Sequence, residues 1–146
     1  LVHDAARPLV CLQDVVAVIN TVRESGAGAI LAQAVADTLK RANAENQIRE
    51  TLDRRGLWQA QTPQTATLAQ LLPAMEKALG GGGPGPTDEA MALERAGVPV
   101  HLVAATAPNF KVTTAADLTL AAAAHLEAQW GGWLRPVEPR RRRAVG

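Results

Sequence analysis

Cysteine is almost missing from this sequence. Cys11 is the single one among 146 residues. That excludes an internal disulfide framework and any Cys-rich zinc site. Long apolar runs are missing too. The longest candidate, Asp117 to Ala128, is short, Ala-rich and carries Asp117, His125 and Glu127, well below the ~20 apolar residues that a membrane-spanning helix needs. No secretory signal opens the chain. There is no initiator Met, and Leu1 falls inside what reads as a strand, so the expectation is a piece cut from a longer protein. His3, His101 and His125 have no metal-ligand spacing. The glycine run Gly80 to Gly83 lacks the Gly-Lys-Ser/Thr ending of a P-loop. No internal repeat is visible.

Charge of one sign is scarce overall but unevenly spread. The formal net charge is +1. From Arg135 to the end the tail is +4, leaving a body of −3. An acidic body is a poor footprint for nucleic acid, whose binding runs on phosphate neutralisation. The four arginines at 140–143 read as a solvated tail, with weak attraction to nucleic acid or anionic lipid as the minor alternative. Apolar residues make up 47% of the chain, enough for a real core.

The pattern of elements is alternating α and β. Leu1 to His3 reads as the end of a buried strand, turned by Asp4 to Pro8. Apolar residues at 12, 15, 16, 19 and 22 predict an amphipathic helix over 12–24, stopped by Gly26 and Gly28. Ala29 to Val35 reads as a core strand. Residues 37–53 are polar. Within them, 38–40 and 48–52 predict two strands of an extended hairpin turning near Asn43 to Asn46, an arm that needs a partner to pack on. Trp58 to Gln64 reads as strand then loop. Leu68 to Leu79 has helical spacing, with Pro73 best tolerated in a first turn. Gly80 to Pro86 is a connector. Thr87 is the expected N-cap of a helix ending at Gly97. Val98 to Ala104 is a strand, and Asn109 to Thr113 a second extended piece. Thr114 to Asp117 resembles a capping box opening the last helix. The expected class is an α/β layered fold with a mostly parallel sheet and a protruding β-hairpin arm.

Several residues could carry chemistry. Asp4 directly follows a strand, where open α/β sheets hold their ligand crevice. It either caps the turn or holds a Mg²⁺ bridging to phosphates. Arg7, on the same loop, suits a phosphate through its fork, or is simply a surface Arg. Arg54, Arg55 and Lys40-Arg41 at the base of the arm are an anion clamp or a solvated, mixed-charge arm. Lys111 between Phe110 and Val112 is an edge-strand gatekeeper or a phosphate ligand. Thr87 at a helix start caps it or meets an anion. Cys11 reads as a small buried hydrophobe.

Taken in order, Leu1-Val-His-Asp-Ala-Ala-Arg-Pro8, Asp37-Thr-Leu-Lys-Arg41, Asp53-Arg54 with Gly56-Leu-Trp58, Gln61-Thr-Pro-Gln64, Thr87-Asp-Glu-Ala90, Asn109-Phe-Lys-Val-Thr113 and Asp117-Leu118 form a series. The series resembles 2-C-methyl-D-erythritol 4-phosphate cytidylyltransferase, over residues 1 to about 128. The resemblance implies a Rossmann-like nucleotidyltransferase fold, here truncated at the N-terminus. Residues 1–130 would be the carboxyl-terminal part of that domain, with the dimerisation arm at about 37–54, and 131–146 an Arg/Pro-rich, disordered tail. It implies CMP transfer from CTP to methylerythritol phosphate with Mg²⁺, in non-mevalonate isoprenoid biosynthesis. It implies a cytoplasmic homodimer that engages neither nucleic acid nor membrane.

Carried over by motif, Asp4 is the metal-associated aspartate and Ala5 lies by the nucleotide. Arg7 and Thr87 are substrate contacts, and Lys111 helps place substrate against CTP. Thr38 and Arg54 reach into the partner's site on the swapped arm, Arg54 sharing the catalytic role with Lys111. The family's Gly-rich triphosphate loop is absent from this sequence. Thr65 replaces an aromatic often seen after Thr-Pro-Gln, and Pro108 stands where many members have an acidic or polar residue. The expectation is therefore a portion inactive alone, aggregating or loosely folded. The alternatives are a cytidylyltransferase for another polyol phosphate such as ribitol 5-phosphate, and a non-catalytic dimerising fragment.

Overall fold

The structure, a computed structural model, describes residues 1–130. The Arg/Pro-rich tail at 131–146 lies outside the described residues. Two compact units are present, Leu1–Lys111 and a second beginning at Val112. The first contains everything that lines the cleft described below.

In the first unit, α1 (Leu12–Ser25) leads into β1 (Gly28–Ala34). The helix ends on Gly26, whose φ of 68° only glycine adopts cheaply; its N–H donates to Val22 O at 2.9 Å. The buried face of α1 is Asp14, Val18 and Val22. It is rotated from the stripe the sequence predicts, leaving Leu12 and Val16 exposed. The cause is Asp14, a buried carboxylate that accepts the N–H and hydroxyl of Thr106 and so fixes which side turns inward.

β1 is central. It pairs parallel with β5 (Val100–Ala104) and antiparallel with β4 (Trp58–Thr65), giving the order β4-β1-β5. The sheet is mixed rather than mostly parallel. Alternation of helix and strand does not reveal the reversed β4, because the hairpin before it turns the chain without a crossover. Both faces of β1 are covered. Ala29 and Leu31 pack on Val18 and Val22 of α1. On the other face, a Cβ at Gly28 would sit 3.0 Å from Leu93 Cδ1 of α3 (Glu89–Arg95), so glycine permits the approach. Leu93, Ala92 and Ala74 of α2 (Leu68–Gly80) form that second cluster.

The arm is a separate two-stranded sheet, β2 (Leu39–Ala42) with β3 (Ile48–Leu52). Its turn is an Asx type: Asn43 Oδ1 accepts the N–H groups of Glu45 and Gln47, and Asn46 takes a φ of 59° that asparagine tolerates. β3 is exposed along nearly its whole length.

Four further expectations are corrected. Leu1 to His3 makes one bridge, Val2 with Gln64, and Leu1 and Val2 are exposed rather than buried. Trp58 to Thr65 is strand throughout, since it is paired with β1. Pro73 lies beyond the first turn of α2, on its exposed side, where its missing N–H is tolerated. Asn109 to Lys111, the start of the expected second extended piece, has no ladder partner among the described residues; the Asn109 side chain is buried and bonds to Gln61 and Thr62.

The second unit contains α4 (Ala115–Trp130). The capping box forms: Asp117 N–H donates to Thr114 Oγ1, and Thr114 N–H to Asp117 Oδ2. The Thr113 N–H and hydroxyl, with Thr114, hold the Asp117 carboxyl down to about 2. No helix among the described residues is long and apolar enough to cross a membrane.

Candidate functional site

A cleft of about 430 Å³ lies between the loop after Leu1, the carboxyl half of β4 and the start of α3. Asp4, Arg7, Thr87 and Lys111 line it together. These four were singled out from distant stretches of sequence, and the fold gathers them. The volume is within the ~300–1,000 Å³ of small-molecule sites.

Lys111 Nζ stands 2.9 Å from Asp4 Oδ2. Asp4 Oδ1 accepts the Ala6 N–H at 3.0 Å, so the carboxylate also shapes its own turn. The expected capping is present, together with a charge pair to Lys111 that the sequence reading did not foresee. The Lys111 hydrogen bond, then the Ala6 N–H, hold the Asp4 carboxyl below its ordinary value. Asp4 is therefore anionic beside a half-exposed ammonium.

Arg7 donates from Nη1 to the Asn109 carbonyl at 2.8 Å, while its Nε is buried and has no partner. Asn109 itself is 1% exposed. Its amide donates to Gln61 Oε1 at 3.1 Å and Thr62 O at 2.8 Å. One buried asparagine thus ties β4 to the segment carrying Lys111, and through its carbonyl to Arg7. Asn109→Ala is expected to cost about 1–3 kcal/mol by stranding Gln61 and Thr62 acceptors. A chemical-denaturation midpoint unchanged by this substitution would contradict that tie.

Gln64, also buried, does the same for the opposite wall. Its amide donates to Asp88 Oδ2 at 3.0 Å, and Ala90 N–H donates to its Oε1 at 2.8 Å. Asp88, not Thr87, is the N-cap of α3: Asp88 Oδ1 accepts Met91 N–H at 2.9 Å. A carboxylate oxygen outcompetes the threonine hydroxyl, which contacts only Met91 Sδ at 3.9 Å. Thr87 is left exposed at the cleft rim.

Thr38 and Arg54 are not part of this cleft lining. Both are exposed at the base of the arm, and neither side chain has a partner among the described residues. The neighbouring cations are taken: Arg41 pairs with Glu50 at 2.9 Å, Arg55 Nε donates to Asp53 at 2.8 Å, and Lys40 donates to Thr51. Within one chain the clamp drawn from Lys40, Arg41 and Arg55 does not form, because each has a nearer local acceptor. Ala5 is exposed on the Asp4 turn, outside the lining. Cys11 is half-buried at the start of α1, its Sγ 3.8 Å from Thr106 Oγ1.

Sequence reasoning kept Gln61, Thr62, Gln64 and Asn109 as motif letters and gave them no task. The signal was their amide chemistry. Three of the four are side-chain amides, and two sit in a strand otherwise bound for the core.

A family model matches residues 1–127, that of 2-C-methyl-D-erythritol 4-phosphate cytidylyltransferase. The chain belongs to this family. Among curated relatives, the cytidylyltransferase of Vibrio parahaemolyticus is 49% identical over 121 residues, covering 83% of this chain and 51% of that protein. The Acinetobacter baumannii SDF protein is 46% identical, with 83% and 50% covered. The chain spans about half the length of the curated relatives it matches. Among solved structures, the cytidylyltransferase of Thermus thermophilus aligns with a TM-score of 0.76 at 36% identity, over 86% of this chain and 61% of that one. A 4-diphosphocytidyl-2C-methyl-D-erythritol synthase aligns at 0.72 and 40%, over 86% and 55%. The α/β nucleotidyltransferase fold is therefore shown for this cytidylyltransferase family member.

Proposed function

We propose that this chain supplies the acceptor-substrate side of a cytidylyltransferase that transfers CMP from CTP to 2-C-methyl-D-erythritol 4-phosphate, with release of pyrophosphate. The observation that carries the reading is the cleft in which Lys111, Arg7 and Asp4 converge in a family member. The acceptor phosphate oxygen bonds to the α-phosphorus of CTP. The bond from that phosphorus to the pyrophosphate oxygen breaks, and pyrophosphate leaves. Such transfer needs mostly positioning and cations where charge develops.

Arg7 suits the acceptor phosphate, since it lines the cleft and its guanidinium can present paired donors to an anion. Lys111 stands where it can bridge acceptor and nucleotide phosphates, held by Asp4 until they arrive. Thr87, Asp88 and Glu89 on the opposite wall offer oxygens for the polyol hydroxyls. Thr38 and Arg54, unpaired on an arm without a core, reach a second copy's cleft. Ile48, 68% exposed on the same arm, supplies apolar surface for that homodimer.

The donor set suits Mg²⁺ in a limited way. Among the described residues no group of three or more His, Cys, Asp or Glu is placed to hold a metal. Asp4 offers a single hard oxygen donor, and Mg²⁺ is commonly held by one or two carboxylates plus phosphates and water. Asp4 would hold it, and the ion would neutralise phosphate charge; Pro108 adds no second carboxylate.

The test is a substrate panel on the complete enzyme that contains this chain. Methylerythritol phosphate is expected to outperform ribitol 5-phosphate in kcat/KM. Preference for the unbranched polyol would replace the proposed acceptor, and transfer to neither would favour a non-catalytic dimerising role.

A further inference from the structure

His3 opens the cleft loop that carries Asp4 and Arg7, and sequence reasoning assigned it no task. Its Nδ1 is 3.0 Å from Thr62 Oγ1 on β4, and its Nε2 is 3.0 Å from the carbonyl of Arg7. The same Thr62 oxygen lies 3.0 Å from the Asp4 N–H. Of the two neutral tautomers of the ring, only one satisfies all three contacts. A carbonyl only accepts, so Nε2 must carry a proton. The Asp4 N–H only donates, so the Thr62 oxygen accepts it and directs its own hydrogen to Nδ1. The choice of Nε2–H over Nδ1–H follows from the partners rather than from an assignment of convenience.

We propose that His3 is a positioning residue of the cleft: it locks both ends of the loop 3–7 to β4 and so sets where Asp4 and Arg7 reach. The loop is also held by the Asp4 N–H on Thr62 Oγ1, by Lys111 on Asp4 and by Arg7 Nη1 on the Asn109 carbonyl, and it is closed internally by Arg7 N–H to Asp4 O at 2.9 Å and Ala6 N–H to Asp4 Oδ1. None of these joins the Arg7 backbone directly to β4; the imidazole alone among the described residues does so. The imidazole is the rigid strut that joins the far end, at Arg7, to Thr62. Its consequence for substrate rests on the proposed cytidylyl transfer; the hydrogen-bond arrangement does not.

The experiment is run on the complete enzyme that contains this chain. His3→Leu is expected to lower kcat/KM for the polyol phosphate by about 10–10²-fold, the scale of a small misplacement, while the KM for CTP stays within about 2-fold. His3→Gln, which keeps a donor able to reach the Arg7 carbonyl, is expected to recover most of that loss. Equal losses toward both substrates, or no rescue by His3→Gln, would overturn the positioning role. A separate readout is the ¹⁵N spectrum of the imidazoles, with His3 assigned by its disappearance in His3→Gln. For the neutral ring a protonated Nε2 and bare Nδ1 are expected; the opposite tautomer or a rapidly averaging ring would overturn the proposal whatever the activity. The expected tautomer in an enzyme that transfers no cytidylyl group would sink the proposed reaction and leave the strut standing.

Discussion

Lys111→Ala is expected to lower kcat of the complete enzyme by about 10²- to 10³-fold, the scale of removing one preorganised charge from a site where charge develops. Lys111 is half-exposed and packs little, so the loss should not come with unfolding. The substitution also frees Asp4, whose carboxyl then returns toward its ordinary value, because the Lys111 hydrogen bond is the largest cause of its depression. Lys111→Arg keeps the charge but replaces a compact ammonium by a planar fork, so it should restore activity only in part. Full turnover in Lys111→Ala would show that the ion pair with Asp4 is structural alone.

The second large effect is a restoration rather than a loss. Arg54→Ala alone should reduce turnover by a similar factor, although Arg54 lies outside the cleft lining of its own chain. If the arm reaches a second copy, a site draws Asp4, Arg7 and Lys111 from one chain and Thr38 and Arg54 from the other. Co-expressing inactive Lys111→Ala with inactive Arg54→Ala then rebuilds one intact site in every mixed dimer, giving about a quarter of wild-type activity under random pairing. No recovery in verified mixed dimers would mean that each chain uses its own arm. Wild-type activity in Arg54→Ala alone would remove Arg54 from the reaction.

Much of this architecture was legible in the sequence. The arm announced itself by what it lacked, an apolar stripe between Asp37 and Asp53, and the structure shows two strands there with β3 nearly wholly exposed. Lys111 was conspicuous as an ammonium between Phe110 and Val112, and it is relieved by Asp4, a residue more than a hundred positions away. Periodicity carried less elsewhere. It placed Leu12 and Val16 on the inner stripe of α1, yet both are exposed, because the Asp14–Thr106 contact turns the helix. A buried carboxylate is the reverse of what hydropathy expects, so no apolar pattern finds it. The direction of β4 was hidden for another reason: strand pairing is non-local, and alternation of elements does not encode it. The amides Gln61, Gln64 and Asn109 were unreadable individually. Their task depends on which backbone groups face them, and that is decided only when β4, α3 and the 109–111 segment meet.

Among the described residues β5 has a single strand neighbour, and Leu102 on it is 48% exposed. Unpaired edges with exposed apolar side chains favour association between chains.

The central claim is that this cleft places an acceptor phosphate for cytidylyl transfer. It is tested most directly by CTP-dependent pyrophosphate release with 2-C-methyl-D-erythritol 4-phosphate and Mg²⁺. The described chain is compared with the same chain carrying the remaining half found in its relatives. The expected result is release by the completed enzyme, abolished when the acceptor is omitted, and none from the shorter chain. Release by neither, from a completed enzyme shown to be folded and to bind CTP, would contradict the claim.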